Sequence, residues 1–122
     1  MTSRSRRVGA VFAGLCLLAG ASGLAQAAAG DGLETAGEAL AGIRAGDREH
    51  IARMEGMADG LAAANSFLTL KGQQPLFCRQ RGSTTQEDVD ILAAYVRKYP
   101  NQATTPTVIA LTYAMVERFP CN

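Results

Sequence analysis

The chain has few of the side chains on which enzymes usually depend: among 122 residues there is one histidine and there are three cysteines. The histidine, His50, lies among Asp47, Arg48 and Glu49, a run typical of a solvated helix surface. One histidine cannot serve a Ser-His-Asp set and a metal site together, and no glycine-rich loop follows a strand pattern to hold phosphate. We therefore expect no enzymatic activity, no cofactor and no metal.

Negative charge is missing from the start of the chain, because no acidic residue precedes Asp31. The 12 basic residues include Arg4, Arg6 and Arg7, and the 11 acidic residues all follow them. Without its first residues the chain keeps nine basic and eleven acidic residues, a net charge of about −2. A weakly acidic domain lacks the basic surface that nucleic acids need, and no basic amphipathic face predicts binding to a membrane.

The first 27 residues have the three parts of a signal peptide in order. A basic segment to Arg7 is followed by the apolar residues 8–24, and Ala25-Gln26-Ala27 offers a small-x-small cleavage site. The alternative is a transmembrane anchor, but the apolar segment is shorter than the roughly 20 residues that span a bilayer. Ser5-Arg6-Arg7 resembles a twin-arginine signal without the bulky apolar pair that usually follows, which favours the general export route. We expect a domain of residues 28–122 outside the cytoplasm.

Two cysteines, Cys78 and Cys121, remain after the leader, which takes Cys16 with it. Export to an oxidising compartment favours a disulfide between them, and two separate buried thiols are the alternative. Two thiolates and one histidine do not complete a zinc site. By the chain-entropy model the bond would stabilise the fold by about 4 kcal/mol.

Helical periodicity predicts the first two helices. Leu33, Ala36, Leu40 and Ile43 recur on one face of a first helix over residues 33–44. Asp47 can cap a second helix over residues 48–70, in which an apolar stripe lies beside two glycines, Gly56 and Gly60. We expect this glycine face to let another helix approach closely.

Two further helices follow, and no alternating strand pattern of useful length is present. Thr84 and Glu87 match a capping box for the third helix, which Pro100 ends, with residues 101–105 as a loop. Thr105 can cap the fourth helix with Pro106 in its first turn, and this helix ends at Pro120. The sequence predicts an all-α fold of four helices with one disulfide.

The loop between the second and third helices, residues 71–82, is the best candidate for contact with a partner. It combines apolar and basic residues near Cys78, and aromatic and arginine side chains are enriched where proteins bind one another most tightly. The alternative is that Leu76 and Phe77 only seal the core. The candidate binding residues are Gln74, Leu76, Phe77, Arg79 and Arg81.

With these residues placed, the chain resembles the Rap/Tai family of type VI secretion immunity proteins. The likeness covers about residues 37–121. It rests on Arg44-Ala45-Gly46-Asp47, on Met54-x-Gly56-Met57-x-x-Gly60, on Cys78, on Tyr99-Pro100, and on Phe119-Pro120-Cys121.

The resemblance implies a small, helical, disulfide-bonded periplasmic protein that binds a peptidoglycan amidase effector and blocks its cysteine–histidine active site. Such proteins often act as dimers, which the Gly56–Gly60 face or the apolar excess on the fourth helix could support. Many members of the family have a further cysteine pair near Ile43 and Met54, where this chain has apolar residues. A packed contact is expected there instead.

Two other functions compete with this interpretation. One is a periplasmic acid-stress chaperone of the HdeA-like class, which is also helical with one disulfide and gains positive charge in acid. The other is a different binding role on the same family fold.

Overall fold

The computed structural model describes residues 32–122, which confirm the predicted all-α architecture. Within these residues no β-structure is present beyond one isolated bridge between Thr35 and Pro106. The proposed signal peptide and its cleavage site lie outside the described residues. The helices are α1 (Ala36–Arg44), α2 (Arg48–Leu70), α3 (Thr85–Lys98), a short 3-10 helix (Pro100–Thr104) and α4 (Thr107–Arg118).

The first helix begins later than the apolar periodicity predicts. Thr35 and Glu38 form a capping box, in which the Glu38 carboxylate accepts a 2.9 Å hydrogen bond from the Thr35 N–H. The helix therefore starts at Ala36, and Leu33 precedes it with 70% of its surface exposed. The prediction that Leu33 belongs to the buried face was wrong, because the local cap outweighs the periodicity.

The predicted starts of the second and third helices are confirmed. The Asp47 carboxylate accepts from the N–H of Glu49 at 2.9 Å at the start of α2. Thr84 and Glu87 form the expected capping box at the start of α3. Each cap uses a side-chain oxygen to satisfy a backbone N–H that has no partner inside the helix.

The segment before α4 differs from the prediction in two ways. Residues 100–104 form a 3-10 helix instead of a loop, and Pro106 rather than Thr105 occupies the capping position. The Thr105 hydroxyl instead donates to Gln102 Oε1 at 3.0 Å. The first N–H of α4, that of Thr107, donates to the Glu34 carbonyl at 2.8 Å, so a tertiary hydrogen bond replaces the side-chain cap.

One apolar core joins the four helices and the loop before α3. Met54, Leu92 and Leu111 are the largest fully buried apolar side chains, one each from α2, α3 and α4. Met54 is thus in the core, and Ile43 packs against it, at the two positions where the resemblance led us to expect a packed contact. The other buried members are Ala36, Leu40, Phe77, Ala110 and Met115.

The glycine face of α2 does not pack against another helix of the described chain. A Cβ atom added at Gly56 or Gly60 would meet no atom within 4 Å. The expectation that these glycines allow close helix packing is therefore wrong for residues 32–122. The close approach occurs at Gly42 in α1, against which the His50 ring packs.

His50 is only partly exposed, which corrects its interpretation as a solvated surface residue. Its Nε2 lies 2.9 Å from Glu34 Oε1, and its Nδ1 lies 3.1 Å from Asp47 Oδ2. The Glu34 side chain thus contacts α2, while the Glu34 backbone carbonyl accepts from Thr107 of α4. Glu34 therefore ties the segment before α1 to both helices.

Candidate partner-binding loop

Residues 71–84, here called the connecting loop, begin where α2 ends in a tight turn. Gly72 has a φ of 68°, the left-handed conformation that commonly ends helices. Its N–H donates to the Thr69 carbonyl at 3.0 Å, and the N–H of Gln73 donates to the Leu68 carbonyl at 2.9 Å. These bonds satisfy the last carbonyls of α2 and fix the first residues of the loop.

A side chain of α2 then holds the middle of the connecting loop. Asn65 Oδ1 accepts hydrogen bonds from the N–H of Leu76 at 2.7 Å and of Phe77 at 3.4 Å. Asn65 Nδ2 donates to the Phe77 carbonyl at 2.7 Å. Sequence reasoning did not identify Asn65, because an asparagine inside a helix carries no signal of a contact with a later loop.

The predicted disulfide is present and closes the loop onto the end of the chain. Cys78 and Cys121 are bonded, with their Cα atoms 4.9 Å apart. Beside the bond, the N–H of Cys78 donates to the Phe119 carbonyl at 2.8 Å. The connecting loop is thus linked covalently to the segment that follows α4.

Two of the five candidate binding residues point into the protein. Phe77 is 5% exposed and belongs to the core, as the alternative interpretation of this residue held. Arg79 is mostly buried, and its Nη1 donates to Asp88 Oδ1 at 2.9 Å. The Arg79 guanidinium also lies 4.8 Å from the centre of the Phe119 ring.

Asp88 is the buried acidic partner that the sequence did not reveal. Its side chain is almost fully buried, and it accepts from both Arg79 and the Ser83 hydroxyl, the latter at 2.9 Å. Its place in the first turn of α3 also suits the positive end of the helix dipole, and its burial shows that Asp88 anchors the loop as well.

The other three candidate residues face solvent. Gln74 is exposed, Leu76 is 44% exposed, and 82% of the Arg81 side chain is accessible. Arg81 reaches Glu87 at 3.3 Å, a surface ion pair that contributes little to stability. The structure therefore separates the five residues into a buried anchor and an exposed surface.

Two open grooves flank the second half of the loop, so that Gln80 and Arg81 line both of them. The larger groove, about 960 Å³, lies against α3, α4 and the chain end. The smaller groove, about 410 Å³, lies against α2. Residues 80–81 therefore form a ridge with a concave surface on either side.

An ion pair crosses the larger groove from α3 to α4. Lys98 Nζ donates to Glu117 Oε1 at 2.6 Å, and this hydrogen bond raises the pKa of Lys98 and lowers the pKa of Glu117. Partial burial raises the pKa of the neighbouring Tyr95 phenol. Each shift favours the usual charge state of its group at neutral pH, so these three groups offer fixed polar contacts in the groove.

Residues 32–122 contain no group of three or more histidine, cysteine, aspartate or glutamate side chains placed to hold a metal ion. None of the helices in this range combines the length and apolarity needed to cross a membrane.

Comparison with known proteins agrees with the resemblance seen in the sequence. The family model of the Rap1a immunity proteins matches residues 22–121, which include both bonded cysteines and each of the helices described between residues 32 and 122. No curated protein and no solved structure shows significant similarity to the chain. Because the family model covers more than half of its length, this chain belongs to the Rap1a immunity protein family.

Proposed function

We propose that this protein is a periplasmic immunity protein that binds a peptidoglycan amidase effector of a type VI secretion system and occludes its active site. The observation that carries the proposal is the family match over residues 22–121. The amidase as target follows from the Rap/Tai resemblance. The protein would act by covering the enzyme and would contribute no chemistry of its own.

Two features support a periplasmic location. The Cys78–Cys121 bond needs an oxidising compartment to form and persist. The first 27 residues have the composition of a cleavable leader. An effector that cleaves the cell wall works in the same compartment, so inhibitor and target would meet there.

The exposed part of the connecting loop is the contact surface that we propose. Leu76 offers an apolar contact, and Gln74 and Arg81 offer polar ones. Phe77 and Arg79 act beneath this surface as anchors. A loop that is already ordered loses little conformational entropy on binding, and so more of the contact energy appears as affinity.

An inhibition assay with paired variants tests this surface. Proteins secreted by the organism are incubated with purified peptidoglycan, and cleavage is followed with and without the immunity protein isolated from the periplasm. Leu76→Asp should abolish inhibition. Ile109→Asp is the matched control, because Ile109 is also 44% exposed but lies in the first turn of α4, at the end opposite the disulfide.

The outcomes separate the parts of the proposal. Inhibition by the wild type and by Ile109→Asp, but not by Leu76→Asp, supports both the function and the surface. Equal inhibition by all three proteins would show that the contact lies elsewhere. An amidase activity that the wild type leaves unchanged would contradict the proposed function.

We also propose that the protein forms a homodimer through the outer face of α2. Six exposed residues of α2, spaced three or four apart, form this face: Ala52, Gly56, Gly60, Ala63, Phe67 and Leu70. The residues toward the start of the helix are small, and the last two have large apolar side chains. In an antiparallel two-fold pair, Phe67 of one copy would lie over Gly60 of the other. Such a contact would cover two of the most exposed apolar side chains, Phe67 and Leu70.

Sedimentation velocity over a range of concentrations tests the dimer. The wild type should associate, and Gly60→Leu should not, because its side chain would occupy the space expected for Phe67. Ile109→Ser removes an exposed apolar side chain from another helix and should leave association unchanged. A wild type that stays monomeric at high concentration would contradict the dimer.

A further inference from the structure

We propose that Asn65 is the positioning residue of the connecting loop: its amide holds the loop backbone in the conformation that meets the effector. This inference rests on the function proposed above. It concerns a residue of α2 outside the exposed contact surface, and it assigns to that residue a role in inhibition through the loop.

The loop has little backbone support of its own at this point. Between Gln73 and Cys78 no backbone N–H donates to a backbone carbonyl in the described chain. The two flanking residues are fixed, Gln73 to the end of α2 and Cys78 to the carbonyl of Phe119. The residues between them, which include the exposed Gln74 and Leu76, need another source of order.

Asn65 supplies that order with both polar atoms of one side chain. The amide oxygen accepts from Leu76 at 2.7 Å and, more weakly, from Phe77 at 3.4 Å, while the amide nitrogen donates to the Phe77 carbonyl at 2.7 Å. An amide has a donor and an acceptor side by side, so it can pair with a peptide backbone as a neighbouring strand would. Aspartate lacks the donor, and leucine lacks both groups.

All three bonds end on backbone atoms, and this has a functional consequence. The side chains at the tip of the loop take no part in them, so the same loop conformation can present different side chains. Asn65 sets the position of the contact surface, and Gln74 and Leu76 set its chemistry.

Hydrogen exchange of the periplasmic, oxidised protein tests whether Asn65 orders the loop. In the wild type the Leu76 amide should be protected although the residue is exposed. Asn65→Leu should speed its exchange by about tenfold, the factor expected for the loss of a hydrogen bond. Asn65→Asp keeps the oxygen that accepts from the Leu76 N–H, so it should speed exchange of the Leu76 amide less than Asn65→Leu does. Unchanged exchange of Leu76 in Asn65→Leu would overturn the proposal.

Inhibition of the secreted amidase activity then tests the link to function. Asn65→Leu should weaken inhibition, and Asn65→Asp should weaken it less. Thr107→Ala is the control for a general loss of stability, since Thr107 is buried and donates to the Glu34 carbonyl, far from the loop in the chain. It should inhibit as the wild type does. Full inhibition by Asn65→Leu, or equal losses in Asn65→Leu and Thr107→Ala, would overturn the positioning role.

This failure is distinguishable from failure of the proposed function. If the wild type inhibits nothing, the proposed function is wrong and the positioning role falls with it, whatever the exchange rates show. If the wild type and Asn65→Leu both inhibit fully while Leu76→Asp does not, the function stands and the positioning role alone is wrong.

Discussion

The contact between Gly42 and His50 leads to an unusual prediction: one glycine-to-alanine change in a helix destabilises this protein, while another stabilises it. A Cβ atom on Gly42 would lie 2.5 Å from His50 Nδ1 and 2.6 Å from its Cδ2, and closer still to Cγ. Rotation about χ2 cannot relieve a clash with Cγ. The whole ring must move, which takes Nε2 away from the Glu34 carboxylate 2.9 Å away.

The magnitude follows from two opposing terms. Alanine is favoured over glycine inside a helix by about 1 kcal/mol. Forcing extra volume into a packed contact costs about 1 to 3 kcal/mol. We therefore expect Gly42→Ala to lower the free energy of unfolding by up to about 2 kcal/mol. A Cβ atom added at Gly56 would meet no atom within 4 Å, so Gly56→Ala should raise the free energy of unfolding by about 1 kcal/mol.

Urea unfolding of the oxidised protein, at a dilution where sedimentation shows a monomer, measures both changes. A double-mutant cycle isolates the clash: in the His50→Ala background the ring is absent, and Gly42→Ala should become stabilising. Equal effects of alanine at Gly42 and Gly56, or no coupling between Gly42 and His50, would refute the packing that we describe.

Three further predictions concern the loop anchor, the disulfide and acid stability. Asp88→Ala leaves the mostly buried Arg79 with only the more distant Glu87 carboxylate, 3.6 Å away, and should cost about 3 kcal/mol in urea unfolding. Alanine at the exposed Asp90 should change stability by less than about 0.5 kcal/mol, and similar small effects at both positions would contradict the buried pair. Replacing both bonded cysteines by alanine should cost about 4 kcal/mol, and an unchanged unfolding midpoint would show that the link adds nothing. Hydrogen bonds from Thr35 lower the pKa of Glu38 below its usual 4.5, so this group stabilises the fold above that pH and the contribution is lost as pH falls through the lowered value. Unfolding midpoints between pH 7 and 3 should therefore fall less in Glu38→Gln than in the wild type, and parallel pH profiles would contradict this.

The number of α-helices and the starts of α2 and α3 were predictable because they depend on residues close together in the sequence. Asp47, Thr84 and Glu87 cap their helices through bonds that span two or three residues. The start of α4 was not predictable in this way. Its first N–H bonds the Glu34 carbonyl, a partner more than seventy residues away that no local pattern indicates.

The candidate site shows the same division between local and tertiary information. Composition identified the connecting loop, and the two remaining cysteines identified its covalent link. Which side chains point inward depends on tertiary partners, namely the core around Phe77 and the buried carboxylate of Asp88. Asn65 and the contact at Gly42 were missed for the same reason, since each acts on a residue that the sequence pattern treats as independent.

The most direct test of the immunity role is a contact-killing assay between sister cells. A strain without this gene is grown against its parent, with the parent's type VI secretion system either active or disabled, and lysis of the deletion strain is counted. The account predicts lysis only when the parent's system is active, and rescue when the full chain is restored. Survival of the deletion strain beside an active parent would contradict the proposed function.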